Sequence, residues 1–180
     1  MKKLFLALAI FASVTMSAQV SKVTLQASGL TCSMCSNSIT KALKTLPYAE
    51  SVFANIQSSS FDINIKPGSN VSFDEIKKKV EDAGFFVANM KATMNFDNQP
   101  IVNNEHINVS GLTLHFLNVK DQTLKGNKSV QILDKGYVSA KAFKKNEIYT
   151  KMDCYKTGVA GSCCSKGGLT TGTRIYHVTI

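Results

Sequence analysis

Hydrophobic and polar positions between residues 22 and 90 switch period in a fixed order. Val23, Leu25 and Ala27 alternate with Lys22, Thr24 and Gln26, the period-two pattern of a half-buried strand over Lys22–Ala27. Ile39, Ala42, Leu43 and Leu46 then recur at helical spacing and predict a helix from about Cys32 to Thr45. It stops short of Pro47, because proline disfavours helical backbone in the residue before it. Strands follow at Ser51–Ile56 and Ser60–Lys66, the second with Phe61, Ile63 and Ile65 alternating against Asp62, Asn64 and Lys66. Pro67-Gly68-Ser69-Asn70 reads as a turn. Ser72 and Glu75 match a capping box, and Phe73, Ile76, Val80 and Ala83 mark the buried face of a second helix. Gly84 ends that helix, and a strand at Phe86–Met90 completes the unit. The order β-α-β-β-α-β predicts an α+β, ferredoxin-like domain over residues 20–91, with both helices on one face of an antiparallel sheet.

The pattern changes beyond it. Asp97-Asn98-Gln99-Pro100 reads as part of a linker over residues 92–104. Short apolar and β-branched runs follow at His106–Val109, Leu112–Val119, Ser129–Leu133, Tyr137–Phe143, Ile148–Met152 and Arg174–Ile180. Ala140 to Lys145 also fits a single helical turn. Without a long helical period, residues 105–180 are predicted to form a separate, small, mostly-β domain, a barrel or a sandwich.

The first residues stand apart from both. Lys2 and Lys3 precede an almost wholly apolar run, Leu4 to Val14, and Ser17-Ala18-Gln19 offers a small-residue cleavage site. This predicts a signal peptide over residues 1–19 and an exported, periplasmic protein, with no stable membrane insertion after cleavage. The run is shorter than the ~20 residues needed to span a bilayer. The formal charge of +9 falls by two when Lys2 and Lys3 are removed. No basic block with interleaved aromatics is present, so nucleic acid is not an expected partner. Nor is there a Ser/His/Asp set or a pair of carboxylates with persuasive spacing, and no catalytic residue is assigned.

The chemistry lies in the five cysteines. Cys32 and Cys35 sit where the first strand gives way to the first helix, in Gly29-Leu30-Thr31-Cys32-Ser33-Met34-Cys35. Free backbone N–H groups at a helix start favour thiolates, and thiolates favour soft ions such as Cu(I) over oxygen-seeking cations. Cys154, Cys163 and Cys164 occupy a Gly-rich stretch with Gly158, Gly161, Gly167 and Gly168. Two arrangements fit them. One is a disulfide from Cys154 to Cys163 or Cys164; the other is a second metal site with His177 or His115. Neither histidine, nor His106, is assigned to a site on sequence grounds.

Over residues 21–90 the chain resembles the heavy-metal-associated domain, the family of small copper chaperones, copper-ATPase metal-binding domains and the periplasmic mercury-binding protein. The family motif Gly-Met-Thr-Cys-x-x-Cys reads here Gly29-Leu30-Thr31-Cys32-Ser33-Met34-Cys35, and the ending Asp82-Ala83-Gly84-Phe85 also fits. The resemblance implies that Cys32 and Cys35 are the metal ligands, holding Cu(I) in near-linear coordination open to attack by a partner's thiol. Leu30 replaces the usual Met and is expected to fill the same apolar site. Phe85 stands where soluble chaperones often have Lys or Tyr, and is expected to pack under the loop. The expected function is therefore non-enzymatic: binding, buffering or transfer of Cu(I), with Hg(II) or Zn(II) as other candidate ions. The expected partner is a metal donor or acceptor, such as a copper-transporting ATPase or efflux component. The alternatives are mercuric ion binding and a periplasmic thiol–disulfide oxidoreductase using Cys32 and Cys35.

Overall fold

A computed structural model describes residues 19–30 and 33–180. Residues 1–18, which hold most of the expected signal peptide, and Cys32, with Thr31, lie outside the described residues. The predicted β-α-β-β-α-β unit is present: β1 (Val20–Ser28), α1 (Ser33–Lys44), β2 (Ala49–Asn55), β3 (Ser60–Ile65), α2 (Phe73–Asp82) and β4 (Phe86–Ile101). α1 buries Ile39 and Leu43, and α2 buries Phe73, Ile76 and Val80. The Ser72 hydroxyl caps α2 by accepting from the Glu75 backbone N–H at 3.2 Å.

The downstream region is not a separate barrel or sandwich. Its strands are β5 (His106–Val109), β6 (Leu112–Phe116), β7 (Gln122–Ile132) and β8 (Ile175–Thr179), with short helices α3 (Ala140–Asn146) and α4 (Cys154–Thr157). They extend the first sheet into one open eight-stranded sheet, ordered β2-β3-β1-β4-β7-β8-β6-β5. β7 pairs with the edge of β4 that β1 leaves open, antiparallel, from Lys91↔Gln131 to Ile101↔Gln122. Pairing removes an exposed strand edge. Among the named strands of the described residues, only β8 and β6 run parallel.

Residues 92–101 of the expected linker are strand, because the alternation of the first unit does not stop at Met90. Met90, Ala92, Met94 and Phe96 are all buried on one face. The polar stretch after Phe96 holds a register shift between Phe96 and Gln99 rather than a break. Pro100 is tolerated there because β1 has already ended, its pairing closing at Val20↔Met94. The expected strands at Tyr137–Phe143 and Ile148–Met152 are also corrected. α3 and a 3-10 turn over Glu147–Tyr149 occupy this stretch. The helix is nucleated by Ser139, whose hydroxyl accepts from the Ala142 N–H at 3.2 Å. A single apolar cluster runs from Val23 and Leu25 through Met94 and Phe96 to Phe116, Tyr176 and Val178.

Candidate metal-binding sites

The loop ahead of α1 is shaped from below. Gly29 has φ +86°, a conformation that glycine supplies without strain. A Cβ on it would lie 3.8 Å from Cδ1 of Phe85. Phe85 and Leu30 are both partly buried against the core, as expected. Cys35 lies in the first turn of α1 and is half-buried, while the neighbouring Met34 is 79% exposed. The start of a helix, whose first N–H groups have no intrahelical acceptor, is in general a setting that favours thiolates. The expected partner of Cys35, Cys32, lies outside the described residues, so the structure places one of the two predicted ligands. Phe86, 68% exposed, pairs with Ser28 and borders the same loop.

A second set of donors converges at the far end of the sheet. Ser110 and Gly111 have φ +55° and +75°, as a two-residue type I′ hairpin turn requires. That turn joins β5 to β6 in the register that sets His106 opposite His115. Their rings lie 4.2 Å apart, centre to centre. Both face Cys154, which opens α4. Its Sγ is 3.8 Å from His106 Nε2 and 3.9 Å from His115 Nδ1. A 3-10 turn over Ser162–Gly167 brings in Cys163 and Cys164, whose sulfurs are 3.4 Å apart. The donor atoms of His106, His115 and Cys154 lie within 4.8 Å of one another, and so do those of Cys154, Cys163 and Cys164.

The environment fixes the protonation of these groups. Burial, reinforced by the neighbouring His177 and His106, pushes His115 down to about 3, so its ring is neutral at ordinary pH. Burial also lowers His106, with a further contribution from His177. Cys154 is fully buried, and burial raises its thiol well above the usual range. Cys163 is only half-buried; hydrogen bonds from backbone N–H groups, that of Cys154 foremost, lower its pKa.

Cys154, Cys163 and Cys164 are free thiols in the structure, so of the two arrangements that fit the sequence it does not show the disulfide. Of the two histidines considered as ligands, His115 joins the cluster. His177 sits one strand further, its ring centre 5.0 Å from that of His115. Its Nδ1 is held by Asp134 Oδ1 at 2.6 Å. His106 was missed, since sequence spacing does not reveal a cross-strand register; the turn pair Ser110-Gly111 between two apolar runs was the available signal.

Residues 24–86 match the family model of the heavy-metal-associated domain. No family model matches further downstream. Among solved structures, the yeast copper transporter domain Ccc2a, determined in apo and Cu(I)-loaded states, is 29% identical, covering 36% of this chain and 88% of its own, with a TM-score of 0.33. A copper-binding domain of a P-type ATPase is 31% identical over 36% of this chain and 86% of its own, with a TM-score of 0.33. CopA from Bacillus subtilis, in a copper form, is 26% identical over 38% and 90%, with a TM-score of 0.34. No curated protein matches the chain.

Proposed function

Residues 24–86 form a heavy-metal-associated domain, and from that premise we propose that the protein binds Cu(I) through Cys32 and Cys35 and exchanges it with a partner in the periplasm. One observation carries this reading. The family match spans the strand-to-helix junction at which the two thiols lie, and the structure sets Cys35 in the first turn of α1. Two soft ligands on a loop leave the ion open to a third thiol, so a metal donor or acceptor can take it through a shared-ligand intermediate. A copper-transporting ATPase or an efflux component has the matching chemistry. Hg(II) and Zn(II) are the other ions this thiol pair suits.

The periplasmic assignment rests on the leader-like residues 1–19. Among the described residues, no helix is long and apolar enough to cross a membrane. The chain is read as a binding protein rather than an enzyme, since the family is one of metal-associated domains.

Anaerobic titration of the reduced full chain with Cu(I), against a chromophoric chelator, tests the reading. Replacing both ligands (Cys32→Ser with Cys35→Ser) should remove one equivalent of tightly bound Cu(I). Equal stoichiometry in the wild-type and double-variant proteins would reject the assignment. Rapid turnover of a dithiol substrate by metal-free protein would favour the oxidoreductase alternative.

A further inference from the structure

The downstream cluster uses all of the chain's remaining cysteines and two of its three histidines. We propose that it is a second metal site for thiophilic d10 ions, Cu(I) or Zn(II), in which the Cys154 sulfur is shared between two three-donor sets, one with His106 and His115 and one with Cys163 and Cys164. The site does not depend on Cys32 and Cys35, and no part of it lies in the matched domain.

Geometry is the first argument. Metal–sulfur bonds of about 2.3 Å and metal–nitrogen bonds of about 2.0–2.1 Å put neighbouring ligand atoms roughly 3.5–4 Å apart in trigonal or tetrahedral coordination. The Cys154 sulfur stands 3.8 Å and 3.9 Å from the two imidazole nitrogens, within that range, while the Cys163 and Cys164 sulfurs, 3.4 Å apart, need to separate slightly to share an ion. The five donors come from β5, β6, α4 and the turn after it, so the fold and not one local loop brings them together.

The orientation of His115 is the second. Its Nε2 lies 3.1 Å from Asn104 Oδ1. An amide oxygen only accepts, so Nε2 carries the proton and Nδ1 presents its lone pair towards Cys154. A hydrogen-bonded partner that fixes the tautomer in this way is the usual support of a metal-binding histidine. Asn104 reaches the ring from a left-handed backbone conformation, φ +63°.

Access is the third. Cys154 and His115 are fully buried, whereas His106 and Cys163 are half-buried and open the cluster to solvent. On binding, each coordinating thiol releases one proton to solvent, and each neutral imidazole contributes a lone pair without releasing one. No electron is transferred.

The test uses the reduced full chain with Cys32→Ser and Cys35→Ser, titrated anaerobically with Cu(I) and, separately, with Zn(II), each against a chromophoric chelator. At least one equivalent of one of these ions should remain bound, and X-ray absorption should show both sulfur and nitrogen neighbours. In that background, Cys163→Ser and His106→Gln, both at half-buried positions, should each weaken binding at least tenfold, with the near-ultraviolet circular dichroism unchanged. Asn104→Gly keeps the left-handed backbone accessible while removing the bond to His115; it should cost on the order of tenfold in affinity. Retention of neither ion by the double variant would overturn the proposal, as would binding indifferent to Cys163 and His106. Failure of the first site reads differently, as equal stoichiometry with and without Cys32 and Cys35.

Discussion

Arg174 and Asp74, one hundred residues apart, form a two-bond ion pair: Nε to Oδ2 at 2.8 Å and Nη2 to Oδ1 at 3.1 Å. Asp74 lies in the first turn of α2, in the matched domain, and Arg174 immediately precedes β8. Tyr137 and Tyr176 also donate their hydroxyls to Asp74, at 2.6 Å and 2.9 Å. Arg174 continues to Asp134 at 3.2 Å, and Asp134 holds His177. One carboxylate thus ties the helix layer of the first unit to the strand that the second contributes.

That tie should be visible as acid sensitivity. Burial raises the carboxyl of Asp74, but hydrogen bonds from Arg174 and Tyr137 and the charge of Arg174 outweigh it and hold it at about 2. An unfolded aspartate titrates near ~3.9. Its contribution is therefore complete above about pH 4 and is lost as the pH falls towards 2. Because the side chain is 43% exposed, solvent screening limits the effect. Asp74→Asn should cost about 1–2 kcal/mol at pH 7 and much less near pH 2, by urea denaturation. A constant cost at both pH values would show that the ion pair is not the source.

The first unit was legible because its periods are clean. One face of each strand and one stripe of each helix are apolar, and Pro47, Ser72 and Gly84 mark the ends. In the second, the runs that form β5, β6 and β8 were legible as strands, but their place in the first sheet was not, for two physical reasons. β6 and β8 lie inside the extended sheet, where runs such as Leu112–Phe116 and Ile175–Val178 are buried at every position and show no alternation. β7 carries Lys125, Gly126, Asn127 and Lys128, a composition that reads as a loop, yet it pairs along β4 with Gly126 opposite Phe96. The thiols of the cluster were legible as candidates; His106 joins them only through strand register.

The long β4 makes a second prediction about where the first unit can be cut. Met90 pairs with Leu25, and beyond it Lys91, Ala92, Thr93 and Met94 pair with Thr24, Val23, Lys22 and Val20. A chain ending at Met90 loses those pairs and the buried Ala92 and Met94. It should be about 2–4 kcal/mol less stable than a chain ending at Asp97. The longer piece should fold alone, with dispersed amide resonances and Cu(I) binding retained, although Asp74 has lost Arg174. Equal stability of the two pieces would show that β4 beyond Met90 belongs energetically to the downstream strands.

The hairpin turn yields a third, paired prediction. Both central residues have positive φ, and a left-handed conformation costs an ordinary L-residue roughly 1–2 kcal/mol. Gly111→Val should therefore destabilise the hairpin by about that amount and disturb the His106–His115 contact, seen as shifted imidazole resonances. Ser110→Asn places Asn-Gly, the preferred pair for this turn, at the same positions. It should leave the histidine resonances in place and be neutral or stabilising.

The last prediction concerns which thiol reacts first. Cys154 and Cys164 are buried, and burial raises both thiols, so each is shielded and protonated. Cys163 is half-buried, and the backbone N–H of Cys154 favours its thiolate. In reduced, metal-free full-length protein, brief treatment with iodoacetamide should modify Cys163 well before Cys154 and Cys164, as read by peptide mass spectrometry. The downstream ion should protect Cys163 in turn, because coordination withdraws charge from the sulfur and lowers its nucleophilicity. Saturating the Cys32→Ser, Cys35→Ser protein with Cu(I), and separately with Zn(II), should slow Cys163 modification at least tenfold with the ion it retains. Slowing with neither ion would place bound metal away from Cys163, and equal reaction of all three thiols without metal would show that the cluster opens faster than it reacts.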